Sequence, residues 1–234
     1  MRKRALLAVI VVLLLIGAYG AYVVSYPRYP EVKGCVNPFA VTKPVSRVQE
    51  NWSTAHVFLK LVTSKDFWKL AKPWDVDYSH VKIVKHTIEY NGEKITMLAM
   101  GIPLKDKKHV IALYEFSKPV QEVKERAFLF EIEGTRIKAE SLSTNGYVTT
   151  LTSCSHECSS SDDCGFLERC EWYPCSTNWD CAIRCCLTGG SGLCTIPCVI
   201  SRTLCIACIA AACPLCVDYC SESGTKCVPI TPGP

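Results

Sequence analysis

The sequence predicts an α+β protein of unlike parts: an N-terminal apolar helix, a small domain of helix plus antiparallel sheet, and a disulfide-rich, largely helical C-terminal domain. Three observations predict it. Residues 5–24 carry no charge and follow the basic start Met1-Arg2-Lys3-Arg4. Apolar residues recur at helical spacing over 48–61 and then alternate along several segments between 81 and 142. Sixteen of the 17 cysteines lie from Cys154 onward.

The N-terminal run fits two readings. Ala18-Tyr19-Gly20 is a small-x-small site at the depth where a signal peptide is cleaved. The run is also long enough to cross a bilayer as an uncleaved anchor, which needs about 20 apolar residues. Residues 1–24 are therefore a signal peptide or a membrane anchor. Both deliver the rest of the chain outward, because the basic residues precede the run. The expected location is secreted, or the outer face of the membrane.

Residues 25–47 read as a spacer, since Pro27, Pro30, Pro38 and Pro44 discourage regular structure. Residues 48–151 read as the α+β domain. Val48, Trp52, Ala55, Leu59 and Val62 fall on one helical face. Ser64 caps a second short helix through Trp68 and Leu70. Strands follow at 81–90 and 95–104, joined by the hairpin pair Asn91-Gly92. Val110, Ala112, Tyr114 and Phe116 alternate along a third strand, and Phe128, Phe130 and Ile132 along a fourth. Residues 136–142 return after Glu133-Gly134, and a last strand reaches Val148. Sequential antiparallel strands under one or two helices are the simplest packing of this pattern. His80 and His86 flank a strand and read as surface or cross-strand residues. Residues 141–153 are Ser- and Thr-rich and end in a linker, the kind of segment proteases cut.

Residues 154–234 have a polar first part, with Cys154, Cys158, Cys164, Cys170 and Cys175, and an apolar second part. The second part holds Cys181, Cys185, Cys186, Cys194, Cys198, Cys205, Cys208, Cys213, Cys216 and Cys220, and Cys227 closes the set. Between 193 and 217 the only charge is Arg202. Cys205-x-x-Cys208 and Cys213-x-x-Cys216 have zinc-like spacing. Only four residues separate the pairs, whereas zinc sites interpose longer loops. An exported chain meets an oxidising exterior, which favours disulfides over metal. The expectation is sixteen paired cysteines, no metal, no cofactor, and Cys35 left over.

No nucleophile elbow, phosphate loop or zinc-protease helix is present, so no catalytic residue is assigned and the chain is not read as an enzyme. A net charge of +4 without a basic stripe argues against a nucleic-acid partner. The tail from 154 carries a net −4 and residues 25–153 a net +5, which favours docking of the two domains. Ile196, Val199, Ile200, Leu204, Ile206, Ile209 and Leu215 are candidate membrane contacts, because a small domain cannot bury them all by itself.

The run Cys181-x3-Cys185-Cys186, a Gly-rich break, Leu193-Cys194-Thr195-Ile196-Pro197-Cys198, then Cys205-x2-Cys208-x4-Cys213-x2-Cys216-x3-Cys220 and Cys227 resembles the C-terminal part of halocin-like (microhalocin-type) archaeal and bacterial antimicrobial precursors. Ser64-Lys65-Asp66-Phe67, Asn91-Gly92 and Ile102-Pro103-Leu104 resemble that family's middle domain. The tail departs from the pattern in its extra polar, cysteine-bearing part at 154–180, and the N-terminus lacks an Arg-Arg pair. The resemblance implies an exported bacteriocin-like precursor. Its C-terminal peptide would be released to act on a competitor's membrane lipid or surface receptor, with the middle domain as a restraining or immunity-like element. The alternative is a membrane-anchored cell-surface structural or binding protein with a Cys-rich head.

Overall fold

The computed structural model describes residues 34–134, 136–151, 154–189 and 192–230. The apolar run 5–24, expected as an N-terminal helix, lies outside them. Among the described residues no helix is long and apolar enough to cross a membrane.

One antiparallel sheet organises the chain. Its strands are β1 (Lys43–Glu50), β2 (Lys82–Tyr90), β3 (Glu93–Pro103), β4 (His109–Val120), β5 (Val123–Glu133), β6 (Arg136–Thr144), β7 (Tyr147–Thr150), β8 (Glu168–Asn178) and β9 (Ser221–Pro229). The order is β1-β2-β3-β4-β5-β6-β8-β9, and β7 pairs with β6. β6 is the junction: its residues 136–138 pair with β8 and its residues 141–144 with β7. The β2–β6 meander follows the sequence signals. Asn91 and Gly92 both take positive φ, 50° and 78°, as the tight hairpin after Tyr90 requires.

Helices cover both faces. α1 (Thr54–Thr63) and α2 (Lys65–Leu70) lie on one. Ser53 accepts from the His56 amide and Ser64 from the Phe67 amide, so each helix starts at a serine cap. Their core is Val57, Leu61 and Phe67 against Met100, Ile102, Ile111 and Leu113. The other face carries α3 (Trp179–Thr188), α4 (Thr195–Ile200), α5 (Arg202–Ala212) and α6 (Pro214–Tyr219), the segment between β8 and β9. Tyr114, Phe116, Phe128 and Phe130 pack there with Ile206, Ile209 and the α5 alanines. The alternation along β4 thus divides two cores: Val110, Ala112, Tyr114 and Phe116 meet the C-terminal helices, while Ile111 and Leu113 meet α1 and α2.

Three expectations need correction. The C-terminal part is not largely helical: β8 and β9, with the four α-helices between them in sequence, form a long antiparallel pair that extends the sheet. β8 escaped recognition because Arg169 through Cys175 are all buried, so it lacks the alternation of a one-sided strand, and Pro174 sits inside it. The first helix begins at Thr54, not Val48. Residues 43–50 instead form edge strand β1, where Val48 is exposed, and the helix buries Val57 and Leu61 while Leu59 faces solvent. Finally, residues 34–42, read as spacer, are tied into the fold. Val36 bridges to Glu171 of β8, and Phe39 packs edge-on against Tyr114 with ring centroids 4.9 Å apart.

A buried ionic group joins β5 to β8. Arg126 Nη2 lies 3.2 Å from Glu171 Oε2, and Glu171 Oε1 accepts from Arg169 Nη2 at 2.7 Å. Thr144 donates to the same carboxylate at 2.9 Å. Burial pushes the Arg126 guanidinium down, and Glu171 opposes that.

Candidate functional site

α5 is apolar on nearly every side. Of its residues only Arg202 and Leu204 reach solvent appreciably. A helix of this kind needs cover all round, and it gets cover from β2, β3 and β4. The approach is close enough to require a missing side chain. A Cβ on Gly101 of β3 would stand 1.7 Å from the Ala207 carbonyl oxygen and 2.8 Å from the Ala207 Cα. Gly101 and the small residues of α5 therefore let strand and helix backbones meet.

The end of α5 is held by side chains from three strands. The last carbonyls of a helix lack intrahelical donors. Here Tyr114 Oη donates to Ala210 O at 3.1 Å, His86 Nε2 to Ala211 O at 2.7 Å, and Arg47 Nη1 to Ala212 O at 3.0 Å. Burial pushes the Tyr114 phenol up, so it stays a protonated donor. Burial also holds His86 below the ordinary histidine range, with Arg47 adding to the effect and the bond to Ala211 opposing it. Neutral His86 donates to this carbonyl as the tautomer that carries its proton on Nε2. Arg47 Nη2 reaches further, to Gly189 O at the end of α3. At the other end of α5, Thr203 donates to Lys107 O at 2.7 Å and Arg202 to Gly134 O.

The candidate membrane contacts divide by position. Ile196, Val199 and Ile200 on α4 are 71%, 83% and 66% exposed and form an apolar tip with Leu193. Leu204 and Leu215 are half-buried. Ile206 and Ile209 are buried in the α5–sheet core.

All sixteen tail cysteines stand in disulfide geometry. Cys154 meets Cys175, Cys164 meets Cys227, Cys181 meets Cys220, Cys185 meets Cys216, and Cys186 meets Cys213. Cys194 meets Cys208 and Cys198 meets Cys205, so neither Cys-x-x-Cys pair closes on itself. Cys158 and Cys170 stand together with Cys35, which is not set apart as the sequence suggested. Both lie within reach of Cys170, with Cα–Cα distances of 4.6 Å from Cys35 and 5.9 Å from Cys158. The bridge from Val36 to Glu171 fixes this, because it places the preceding residues of the two strands side by side: Val36 N donates to Cys170 O at 2.7 Å.

Sequence reasoning missed the grip on α5. His86 read as a surface or cross-strand residue and is 6% exposed. Gly101 gave one usable signal, an isolated glycine inside a strand pattern, which marks close backbone approach. Nothing in the local sequence singles out Arg47 or Tyr114.

The architecture defines a disulfide-rich, cysteine-rich protein with one sheet between two helical layers, consistent with an extracellular or secreted location. Comparison with known protein families, with curated protein sequences and with solved structures finds no match for this chain.

Proposed function

We propose that the chain is an exported, latent membrane-active protein: the segment from 154 onward is the effector, and strands β1–β7 of the preceding segment restrain it. The observation that supports this is the setting of α5, an apolar helix buried on β2–β4 and held at its end by Arg47, His86 and Tyr114. Separation of the segments would bare Ile206, Ile209 and the alanines, next to the apolar tip of α4. Baring two isoleucines alone costs about 3–6 kcal/mol in water, a cost that a lipid interface relieves. The seven disulfides confined to the tail would keep the freed segment compact. In a producing cell this amounts to an antimicrobial precursor of the halocin-like kind, with the first segment in the restraining role.

The test uses the full chain with a specific protease site inserted between Leu151 and Cys154. Cut, separated without breaking the tail cystines and added to dye-loaded liposomes, the tail causes leakage and inhibits growth of related strains, and the uncut chain does neither. A pure, oxidised tail that does neither removes the reading. A second reading, a cell-surface binding protein, is favoured by the exposed Ile196, Val199 and Ile200 of the uncut chain. It requires the uncut chain to bind a partner or vesicle through α4, with Val199→Asp abolishing that binding.

A further inference from the structure

We propose that Cys35, Cys158 and Cys170 form an internal thiol–disulfide exchange site, where one cystine moves between two pairings and so sets whether the tail is covalently tied to the residues before the linker. The first ground is valence. Each sulfur enters one disulfide, and 17 cysteines cannot all pair within one chain. The structure places the surplus in this cluster. Seven pairs account for fourteen other cysteines one to one, while Cys35 and Cys158 both face Cys170. Both Cα–Cα distances lie in the range that disulfides span without backbone movement, about 4.4–6.8 Å. The three sulfurs lie within 4.8 Å of one another.

The second ground is position. All the other cystines close loops inside 154–227. Cys35 is the only cysteine before the linker. With Cys158–Cys170 closed, the peptide linker is the only covalent path between the two segments. With Cys35–Cys170 closed, a second path exists and survives cleavage of the linker.

The step balances without an oxidant. The Cys35 thiol gives up its proton, and its thiolate attacks Cys170 Sγ. The Cys35–Cys170 bond forms as the Cys158–Cys170 bond breaks. The electron pair leaves on Cys158 Sγ, which takes up a proton. One disulfide and one thiol are present before and after. The cluster is nearly closed to solvent, with Cys35 7%, Cys158 6% and Cys170 0% exposed, so external thiols are excluded while the internal partners are in contact. The exchange rests on this geometry alone. Its effect on release rests on the function proposed above.

Peptide mapping of the full oxidised chain tests it. The chain is held at pH 8, quenched in acid, and alkylated in acidic denaturant without reductant. The expected result is one alkylated site per chain, shared between Cys35 and Cys158, with both cystine peptides present in complementary amounts. Their ratio relaxes after a jump from acid to pH 8, because the thiolate is the attacking species. After linker cleavage, Cys158→Ser chains stay joined in denaturant without reductant, and Cys35→Ser chains separate. A single pairing that does not change at pH 8 overturns the proposal. So does a stoichiometric metal that must be chelated before all three cysteines alkylate, or a dimer joined through the surplus cysteine. The wild-type map stands even if a serine variant does not fold. None of these outcomes depends on liposome leakage, so this proposal and the functional one fail separately.

Discussion

Gly101→Ala strikes the contact between α5 and the sheet at its closest point. The new Cβ would sit 1.7 Å from the Ala207 carbonyl oxygen and 2.5 Å from its carbonyl carbon, whereas ordinary contact starts near 3.4 Å. The obstructing atoms are backbone, so no rotamer change relieves them. The helix has to withdraw by about 1.7 Å, roughly the difference between those distances. A withdrawal of that size breaks the 2.7–3.1 Å bonds from His86, Arg47 and Tyr114 to the last carbonyls of α5. Overpacking costs about 1–3 kcal/mol and each lost hydrogen bond about 1 kcal/mol, giving about 4–6 kcal/mol in total. Denaturant melts with cystines intact measure the loss. Hydrogen exchange of the α5 amides locates it, with protection falling there first and α1 retaining its own. A Gly101→Ala protein that melts within about 0.5 kcal/mol of the parent and keeps α5 protection refutes the close-packing argument.

Two further substitutions test other parts of the fold. Glu171→Gln leaves Arg126 and Arg169 buried without their shared carboxylate. The expected loss is about 3–5 kcal/mol in a denaturant melt, and a loss below about 1 kcal/mol would show that the ionic group is dispensable. Asp218 is buried, and burial pushes its carboxyl up to about 7 against the opposing effects of Asn37 and Arg126. In the unfolded chain it ionises near 3.9. Its contribution to stability is therefore full below about pH 4 and is lost as pH rises through about 7. Asp218→Asn removes that loss, so the variant gains on the parent as pH rises and exceeds it by up to about 4 kcal/mol above pH 7. Parallel stability–pH curves for variant and parent would contradict the assignment. Asp66, held at about 7 by burial as well, leaves part of the slope in both proteins.

The strands of the meander were legible because turn chemistry and alternation agree there. Asn91-Gly92 supplied the left-handed pair of a tight hairpin, and Val110 to Phe116 alternated as a strand must. What alternation could not say is what lies on each face. Tyr114, Phe116, Phe128 and Phe130 read as the core of a self-contained domain, yet helices from the far end of the chain cover them. The helical pieces between 181 and 220 were visible as apolar runs cut by glycine and proline. β8 was not, since a strand buried on both faces shows no period of two, and its cysteines obscured Trp172 and Tyr173. The edge strand β1 was lost for a related reason. Val48 also fits a helical spacing with Trp52, and only the Ser53 cap separates strand from helix. The cysteine number announced an unpaired thiol, but its place among three sulfurs depends on the Val36–Glu171 bridge, a contact between residues 135 positions apart that no local pattern encodes.

The most direct test of the restrained-effector reading is liposome leakage by one protein in two states. The chain carrying a cleavable linker is purified oxidised, with Cys35→Ser to remove the second covalent path, and is measured before and after cleavage and separation. Leakage should be absent before the cut, appear with the separated tail, and fall again when the first segment is added back. Leakage by the uncut chain equal to that of the separated tail, or none from the separated tail with its cystines intact, would contradict the reading.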